Sequence, residues 1–541
     1  MSEHVFTRRE FLGASAAAAT LGVPGLCLSA GASPGGAWEQ GQLAHLIPSA
    51  SHDRFVIKAS FRSPLRDKPR LAVQGTPLDG VQTDLLGRFW RFDATGLQPA
   101  TTYQLQIVDA AGRPLCGVWP LKTFPAPDTS AESLRILAYT CAGGYDSEPF
   151  QGKTFFLDMA ARRMLLARGL SYQPDVVVAN GDQIYWDQQT TLNKPWAPFF
   201  RERVWPKFGP PLDLSVPMLH PKNSATFLAV CDYQIPGLYG TALRSTPAFF
   251  LNDDHDYFEN DEFDNKLASL PVESYGLLGA ETTQRLYYPE FLPDANRPAW
   301  LPGGDKAGLP AGSNTNFGTL RYGNLLECVL YDCRRYLDYK GDHAKVVPQW
   351  VEDWLVARTR SEDTAHFIHV PSLPFAYSSG KLGDWYPDLL DPQAGRLVMY
   401  REKQGWQRGW FAQHQRLLAS ISSQEKRVPI ILQGDFHASA ISKMHRSGDL
   451  TMNRPVHIVQ SGTLGTGDLA FPSSIRSIQP GASQLVGLDE RLKPVEKNGF
   501  TIIDVTRQKV SFRHFMWRPP QAVSEIETIE PALTYEVPRT A

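Results

Sequence analysis

The apolar positions along the chain follow two rhythms, and the change between them divides it. From Asp53 to about Phe124, short apolar runs at Phe55–Phe61, Leu71–Val73, Phe89–Phe92, Tyr103–Val108 and Val118–Phe124 are separated by turn residues, the pattern of a small β-sandwich. Pro125-Ala126-Pro127-Asp128 marks a boundary. Beyond it, strands alternate with helical spacings. Strands are predicted over Leu134–Thr140, Leu325–Tyr331, Phe367–Val370, Val428–Gln433 and Val456–Val459, and helices over Phe155–Arg168, Trp350–Val356 and Trp410–Ile421. Phe500–Val505 and Lys509–Phe515 close the sheets. Residues 187–246 and Pro289–Asn316 carry few regular runs and read as insertions that frame a site.

The second region is organised around Asp175–Tyr185, where Val-Val-Val-Ala ends in Asn180-Gly181-Asp182. A bounded β-branched run is a buried strand, and Gly181 permits the turn that projects Asp182 beyond its carboxyl end, where ligands of α/β proteins sit. Alone, Asn-Gly-Asp is only a turn. The same form recurs at Phe249–Asp256, reading Phe-Phe-Leu-Asn-Asp-Asp-His-Asp, and at Ile430–His437, reading Ile-Ile-Leu-Gln-Gly-Asp-Phe-His. Three strands then deliver carboxylates or imidazoles at one end, which is how a multi-metal site is assembled.

A length of 541 residues allows two or more domains, and 42% hydrophobic with 11% aromatic residues excludes a disordered chain. Fifty-four basic against 56 acidic residues leave no broad footprint for nucleic acid or an anionic membrane. Thr7–Gly13, with Arg8 and Arg9 paired, precedes an Ala-rich apolar run to Ala30, with Ala30-Gly31-Ala32 as a cleavage site. This resembles a twin-arginine export signal and implies passage through the twin-arginine machinery to the periplasm or exterior. The run is short for a spanning helix, so no stable membrane span is expected in the mature chain, and Leu26 before Cys27 argues against lipidation. Cys116, Cys141, Cys231, Cys328 and Cys333 would remain, an odd set that suggests a free thiol or a metal ligand.

Cys141 directly follows a strand beside Gly143 and Gly144. Its thiolate would prefer iron, zinc or copper over calcium, although a small buried hydrophobe is the commoner fate of cysteine. Asp182 and Tyr185 stand three apart and can address one ion; phenolate with thiolate and carboxylate suits ferric iron, while Tyr185 taken alone reads as a packed aromatic. Asp254 is a candidate ligand, and His255 can protonate a leaving oxygen with Asp256 orienting its ring. Asp435 and His437, two apart, share a face, and Gly434 allows close approach. His369, before Val370-Pro371, is equally a ligand or a packing residue, and Gly462–Gly467 reads as a plain turn.

These motifs, in this order, resemble the PhoD-like alkaline phosphatase D family of the metallophosphoesterase superfamily. That family carries a cysteine after its first catalytic strand, then Gly-Asp-x-x-Tyr, Asp-Asp-His-Glu or Asp, Asp-x-Arg and Gly-Asp-x-His. Here they stand as Cys141, Gly181–Tyr185, Asp253–Asp256, Asp332 with Arg334, and Gly434–His437. Gly96–Tyr103 likewise resembles the tyrosine corner of fibronectin type III domains. The resemblance implies an α/β four-layer metallophosphoesterase sandwich, two mixed sheets flanked by helices, preceded by a small fibronectin III-like β-sandwich. The division expected is signal 1–32, linker 33–48, sandwich 49–126, metallophosphatase domain 130–515 and C-terminal tail 516–541.

It further implies ferric iron on Cys141, Asp182, Tyr185 and Asp435, with one or two calcium ions shared by Asp182, Asp254, Asp435 and His437. The reaction implied is hydrolysis of a phosphate mono- or diester, a metal-bound hydroxide attacking phosphorus, with His255, Asp256 and Arg334 as catalytic residues. Some members carry arginine after Gly-Asp where this chain has Gln183, so that phosphate contact is either lost or supplied elsewhere, with Arg334 and Arg335 as the candidates. Two other readings stand beside this one. An exported iron redox protein would carry cofactor motifs, and no Cys-x-x-Cys or Gly-x-Gly-x-x-Gly is present. A non-catalytic adhesion protein would bind through the β-sandwich.

Overall fold

The first region folds into two four-stranded antiparallel sheets. The computed structural model describes residues 38–145, 152–186, 197–258, 275–292, 316–381, 383–391, 393–400, 403 and 405–539. One sheet has the order β1-β2-β6-β5, with β1 (Leu43–Ala50), β2 (Arg54–Phe61), β5 (Val81–Gln82) and β6 (Phe89–Thr95). The other runs β4-β3-β7-β8, with β3 (Arg70–Val73), β4 (Thr76–Asp79), β7 (Thr102–Val108) and β8 (Trp119–Lys122). Alternate residues Phe55, Ile57 and Ala59 of β2 meet Leu105 and Ile107 of β7 in the core. At the corner, the Gln98 N–H donates to the Tyr103 hydroxyl at 2.7 Å, and the Tyr103 ring meets Phe55 edge-on. β1 begins at Leu43, so residues 43–48, expected to be linker, are strand; Leu43, Leu46 and Ile47 are fully buried.

Beyond the boundary, two larger sheets stack face to face. The first has the order β11-β10-β9-β23-β24-β25, built from β9 (Ser133–Tyr139), β10 (Val176–Asn180), β11 (Ala248–Leu251), β23 (Asn498–Thr506), β24 (Lys509–Trp517) and β25 (Pro531–Pro538). Its β9, β10 and β11 are parallel, and the rest pair antiparallel. The second runs β12-β13-β14-β18-β20-β19-β22, from β12 (Phe317–Tyr322), β13 (Leu326–Tyr331), β14 (His366–Pro371), β18 (Ile430–Gln433), β19 (Ser439–Ser447), β20 (Leu450–Gln460) and β22 (Val486–Val495). Two small pairs, β15 (Tyr377–Ser378) with β21 (Gly481–Ala482) and β16 (Leu389–Asp391) with β17 (Arg396–Val398), trim its edge loops.

Period-two alternation assigns the faces. Ile136, Ala138, Val176, Val178, Phe249 and Leu251 join Leu330, Ile368, Val370, Ile430 and Leu432 in a core between the sheets. The intervening Leu137, Val177, Ala179 and Phe250 lie under α1 (Met159–Leu170) and α2 (Pro221–Gln234). Val329, Phe367 and Ile431 lie under α4 (Gln349–Arg360) and α5 (Arg408–Ser422), while α3 (Tyr275–Tyr287) packs against β2 and β6 of the sandwich. The architecture is therefore helix, sheet, sheet, helix. A strand covered on both faces needs apolar residues at every position, which is why Val176–Ala179 shows no alternation.

Two segments depart from the sequence reading. Within 187–246, expected to be an irregular rim, Phe227, Val230, Cys231 and Gln234 follow a helical spacing and bury one face of α2 in the outer helical layer. The expected tail 516–541 contains β25, which pairs with β24 as an added edge strand; Leu533, Tyr535 and Val537 alternate with exposed Thr534 and Glu536. The export signal, Cys27 and residues 293–315 lie outside the described residues. Cys116, Cys141, Cys231, Cys328 and Cys333 are all buried and unpaired. Among the described residues, no helix is long and apolar enough to cross a membrane.

Candidate metal centre

The turns that follow β9, β10, β11 and β18 meet where the two stacked sheets share an end. Their closeness depends on glycine. At Gly181, with φ +86°, a Cβ would fall 2.7 Å from the Asp253 Cβ, and at Gly434 it would fall 2.5 Å from the Asn180 carbonyl oxygen. Side chains weld the turns together. The Thr140 hydroxyl donates to the Asn180 carbonyl at 2.7 Å and accepts the Asp435 N–H at 3.1 Å, and Asn180 Nδ2 donates to the Pro371 carbonyl at 2.9 Å.

The backbone pays for this convergence. Cys141, Asp182, Asp435 and His437 have φ of 49°, 56°, 68° and 50°, four of the ten non-glycine residues in the left-handed region among the described residues. Each such residue costs on the order of 1–3 kcal/mol and persists only where its surroundings over-determine it.

Those four residues carry ligand atoms to one place. The ligating atoms of Cys141, Asp182 and His437 lie within 4.8 Å of one another, as do those of Asp182, Asp254 and His255, and those of Asp182, Asp253, Asp254 and Asp435. Asp182 belongs to all three groups. Tyr185 joins them, its hydroxyl donating to Asp182 Oδ2 at 3.1 Å and lying 3.2 Å from His437 Nε2. Because His437 Nδ1 contacts the Ala470 carbonyl at 2.8 Å, that nitrogen carries the proton, and the Nε2 lone pair is left toward the cluster. Burial pushes the His437 imidazole down to about 4, which keeps it neutral.

The donor set fits a cation. Asp182 Oδ1, Asp253 Oδ2 and Asp254 Oδ1 are buried without a hydrogen-bond partner in the protein, a costly condition for carboxylates. Against the four carboxylates Asp182, Asp253, Asp254 and Asp435 stand the buried cation Arg334 and the partly exposed Lys381. Burial, with the neighbouring Asp254 charge, pushes the Asp182 carboxyl up to about 7. Burial would raise Asp254 too, but Lys381 and His255 outweigh it and hold that carboxyl below its ordinary range. Burial, with the Asp182 and Asp435 charges, drives the Cys141 thiol well up. A bound metal ion reverses this logic, since thiolate, phenolate and carboxylate oxygens are all ligands for a strongly acidic ion.

The expected catalytic residues are near but differently engaged. The His255 ring lies against that of Tyr185, centroids 4.0 Å apart and planes tilted by 31°, and its Nε2 lies 3.8 Å from Asp254 Oδ2. Asp256, expected to orient the His255 ring, instead accepts the backbone N–H groups of Gln183, Ile184 and Asp253 at 3.1, 2.9 and 2.9 Å, tying the turn after β11 to the turn after β10. Arg334 is fully buried and braces the centre: Nε donates to Asp253 Oδ1 at 2.8 Å, Nη1 to the Gly383 carbonyl at 2.8 Å and Nη2 to Asp435 Oδ2 at 3.2 Å. Arg335 turns to Glu281. Gln183 points inward, donating to the Gly181 carbonyl and accepting from the Tyr239 hydroxyl.

The open question about His369 is resolved by the pleat. It faces α4, 2.9 Å from the Thr359 hydroxyl, and burial pushes it down to about 3. Gly462–Gly467 spends its N–H groups on backbone, Leu464 on Thr140, Gly465 on Cys141 and Gly467 on Phe155. Two residues of the cluster had no role assigned from the sequence. Asp253 was legible only as part of an acidic run; Lys381 had the weaker signal of a lysine between Gly380 and Gly383 after a strand.

The sequence matches no protein-family profile and no curated protein. Its fold, however, matches solved structures. A structure described as that of PhoD superposes with a TM-score of 0.58 at 14% identity, over 94% of this chain and 92% of the other. A purple acid phosphatase isolated from yellow lupin (Lupinus luteus) seeds superposes with a TM-score of 0.50 at 12% identity, over 91% of this chain and 73% of the other. The chain therefore shares the fold of these two structures.

Proposed function

We propose that this protein is an exported, metal-dependent hydrolase of phosphate esters. The observation that carries the reading is the convergence of Cys141, Asp182, Tyr185, Asp254, Asp435 and His437 from separate strand ends, with buried carboxylate oxygens that lack a partner. The likeness to PhoD and to a purple acid phosphatase supports it at the level of fold. Cys141, Asp182, Tyr185 and Asp435 would hold ferric iron, and Asp182, Asp254, Asp435 and His437 would hold calcium. Bound there, such ions polarise a phosphoryl group and lower the pKa of water, so that no serine nucleophile is required.

The chain's own residues supply positioning and proton transfer. His255, with its side chain 13% exposed, borders the carboxylates and is the residue to hand a proton to the departing alcohol oxygen. Close contact with the Tyr185 ring limits its movement. Arg334 is fully buried, with Nε, Nη1 and Nη2 all donating to the protein, and it holds Asp253 and Asp435 at their separation, a positioning role. Asp256 keeps the turns after β10 and β11 in register through backbone amides. Export rests on Arg8 and Arg9 and the apolar run behind them.

The test is metal analysis and a visible spectrum of purified protein, with rates on matched chromogenic phosphate mono- and diesters. Bound iron, a phenolate absorption and turnover are expected. Metal with reversible electron transfer and no turnover would favour the iron redox reading, and protein without metal the adhesion reading.

A further inference from the structure

One cation of the centre comes from a segment that no motif covers. Lys381 Nζ lies 2.6 Å from Asp435 Oδ1 and 3.1 Å from Asp254 Oδ2. Asp435 is thus gripped from both sides, by Arg334 on Oδ2 and Lys381 on Oδ1. The two cations differ in access. The Arg334 side chain is 0% exposed, whereas Lys381 keeps 11%.

They also differ in freedom. The backbone around Lys381 is braced: Lys403 Nζ donates to the Lys381 carbonyl and, at 2.7 Å, to Asp384 Oδ1. Ser378 Oγ donates to Asp384 Oδ2 at 3.1 Å, and Arg334 Nη1 holds the Gly383 carbonyl. A braced backbone carrying an ammonium on a flexible four-carbon stem lets the charge move while its anchor stays. A metal ion bound to Asp254 and Asp435 would compete with the ammonium for the charge of those carboxylates and repel it. Being the partly exposed cation of the two, Lys381 is the one that an anionic oxygen of a phosphate ester can meet.

We propose that Lys381 is the phosphate-binding cation of this centre, held on Asp254 and Asp435 until a metal ion takes those oxygens, and then paired with a phosphoryl oxygen of the substrate. The proposal rests on the phosphoesterase reading and adds to it the substrate contact that Gln183, Arg334 and Arg335 do not make.

The experiment uses full-length protein, wild type, Lys381→Met and Lys381→Arg. In calorimetric titration of chelator-treated protein with calcium or manganese ions alone, Lys381→Met binds about tenfold tighter, because a competing unit charge is gone. In metal-loaded protein, the inhibition constant of inorganic phosphate rises about tenfold or more and KM rises more than kcat falls, while Lys381→Arg restores phosphate inhibition. An unchanged phosphate inhibition constant in Lys381→Met, or a cation affinity equal to or weaker than wild type, overturns the proposal. Wild-type protein that takes up no cation in the same titration sinks the phosphoesterase reading itself, and Lys381's role with it.

Discussion

Two buried clusters of charge invite comparison, one where the β-sandwich meets the larger domain and one at the candidate centre. At the junction, Arg54 and Arg91 hold Asp93 at 2.7 and 2.9 Å, Arg91 also grips Glu290, and Lys58 lies 3.4 Å from Glu290 while donating to the Arg285 carbonyl at 2.8 Å. Three cations face two carboxylates there, in ordinary backbone conformations. At the centre, four carboxylates face two cations, and the turns that carry them are strained. In the first cluster each carboxylate stands beside more than one cation, and the cluster reads as a joint. The second breaks the rules of burial and backbone together, which is the mark of a site built for something else to bind.

The strongest way to sharpen this contrast is to delete a ligand. Asp182→Ala or His437→Ala is expected to lower turnover of a chromogenic phosphate ester by on the order of a thousandfold or more with folding retained. Full activity in either variant rejects the centre. At the junction the cost appears in stability instead. Glu290→Ala leaves Lys58 and Arg91 without their shared carboxylate, and a loss of about 3–5 kcal/mol in urea unfolding is expected, with specific activity of the folded fraction unchanged.

The next effect depends on pH. His45 sits in the junction, 2.9 Å from the Tyr287 carbonyl and 3.2 Å from the Ser60 hydroxyl, and burial pushes it down to about 3. The unfolded chain binds a proton near pH 6.5 that the native state refuses, so stability is intact above that pH and falls as pH drops below it. Between pH 7 and 5, His45 is expected to contribute about 2 kcal/mol of that fall. His45→Gln should flatten the profile by this amount; an unchanged profile would mean the ring is charged in place.

The smallest effect has the opposite sign. In chelator-treated protein, Asp182→Asn removes one uncompensated charge and is expected to stabilise by about 1 kcal/mol, read from the unfolding midpoint. Destabilisation would mean the carboxylates are already balanced.

Much of the centre was legible because its ligands follow directly on strands. The β-branched run before Gly181-Asp182 and the similar runs before Asp253 and Gly434 announce both the strand and the residue delivered at its end. The alternation of strands and helices marked the second region as α/β, and its four layers were what the family resemblance of the motifs implied. What escaped was weaker in local signal: β1 among Gly, Pro and Ser, α2 among prolines and aromatics, and β25 beyond the expected end of the domain.

The order of the elements, the identity of the ligand-type residues and their position at strand ends were determined along the chain, because periodicity and turn chemistry act between near neighbours. Only the tertiary structure decided what each side chain meets. The amides of Gln183 and Ile184 claim Asp256, Asp253 and Asp435 bury Arg334, helix α4 draws His369 away, and a braced loop brings Lys381 in. These outcomes rest on competition for hydrogen bonds between groups far apart in the polymer, and a linear pattern carries no record of which partner wins.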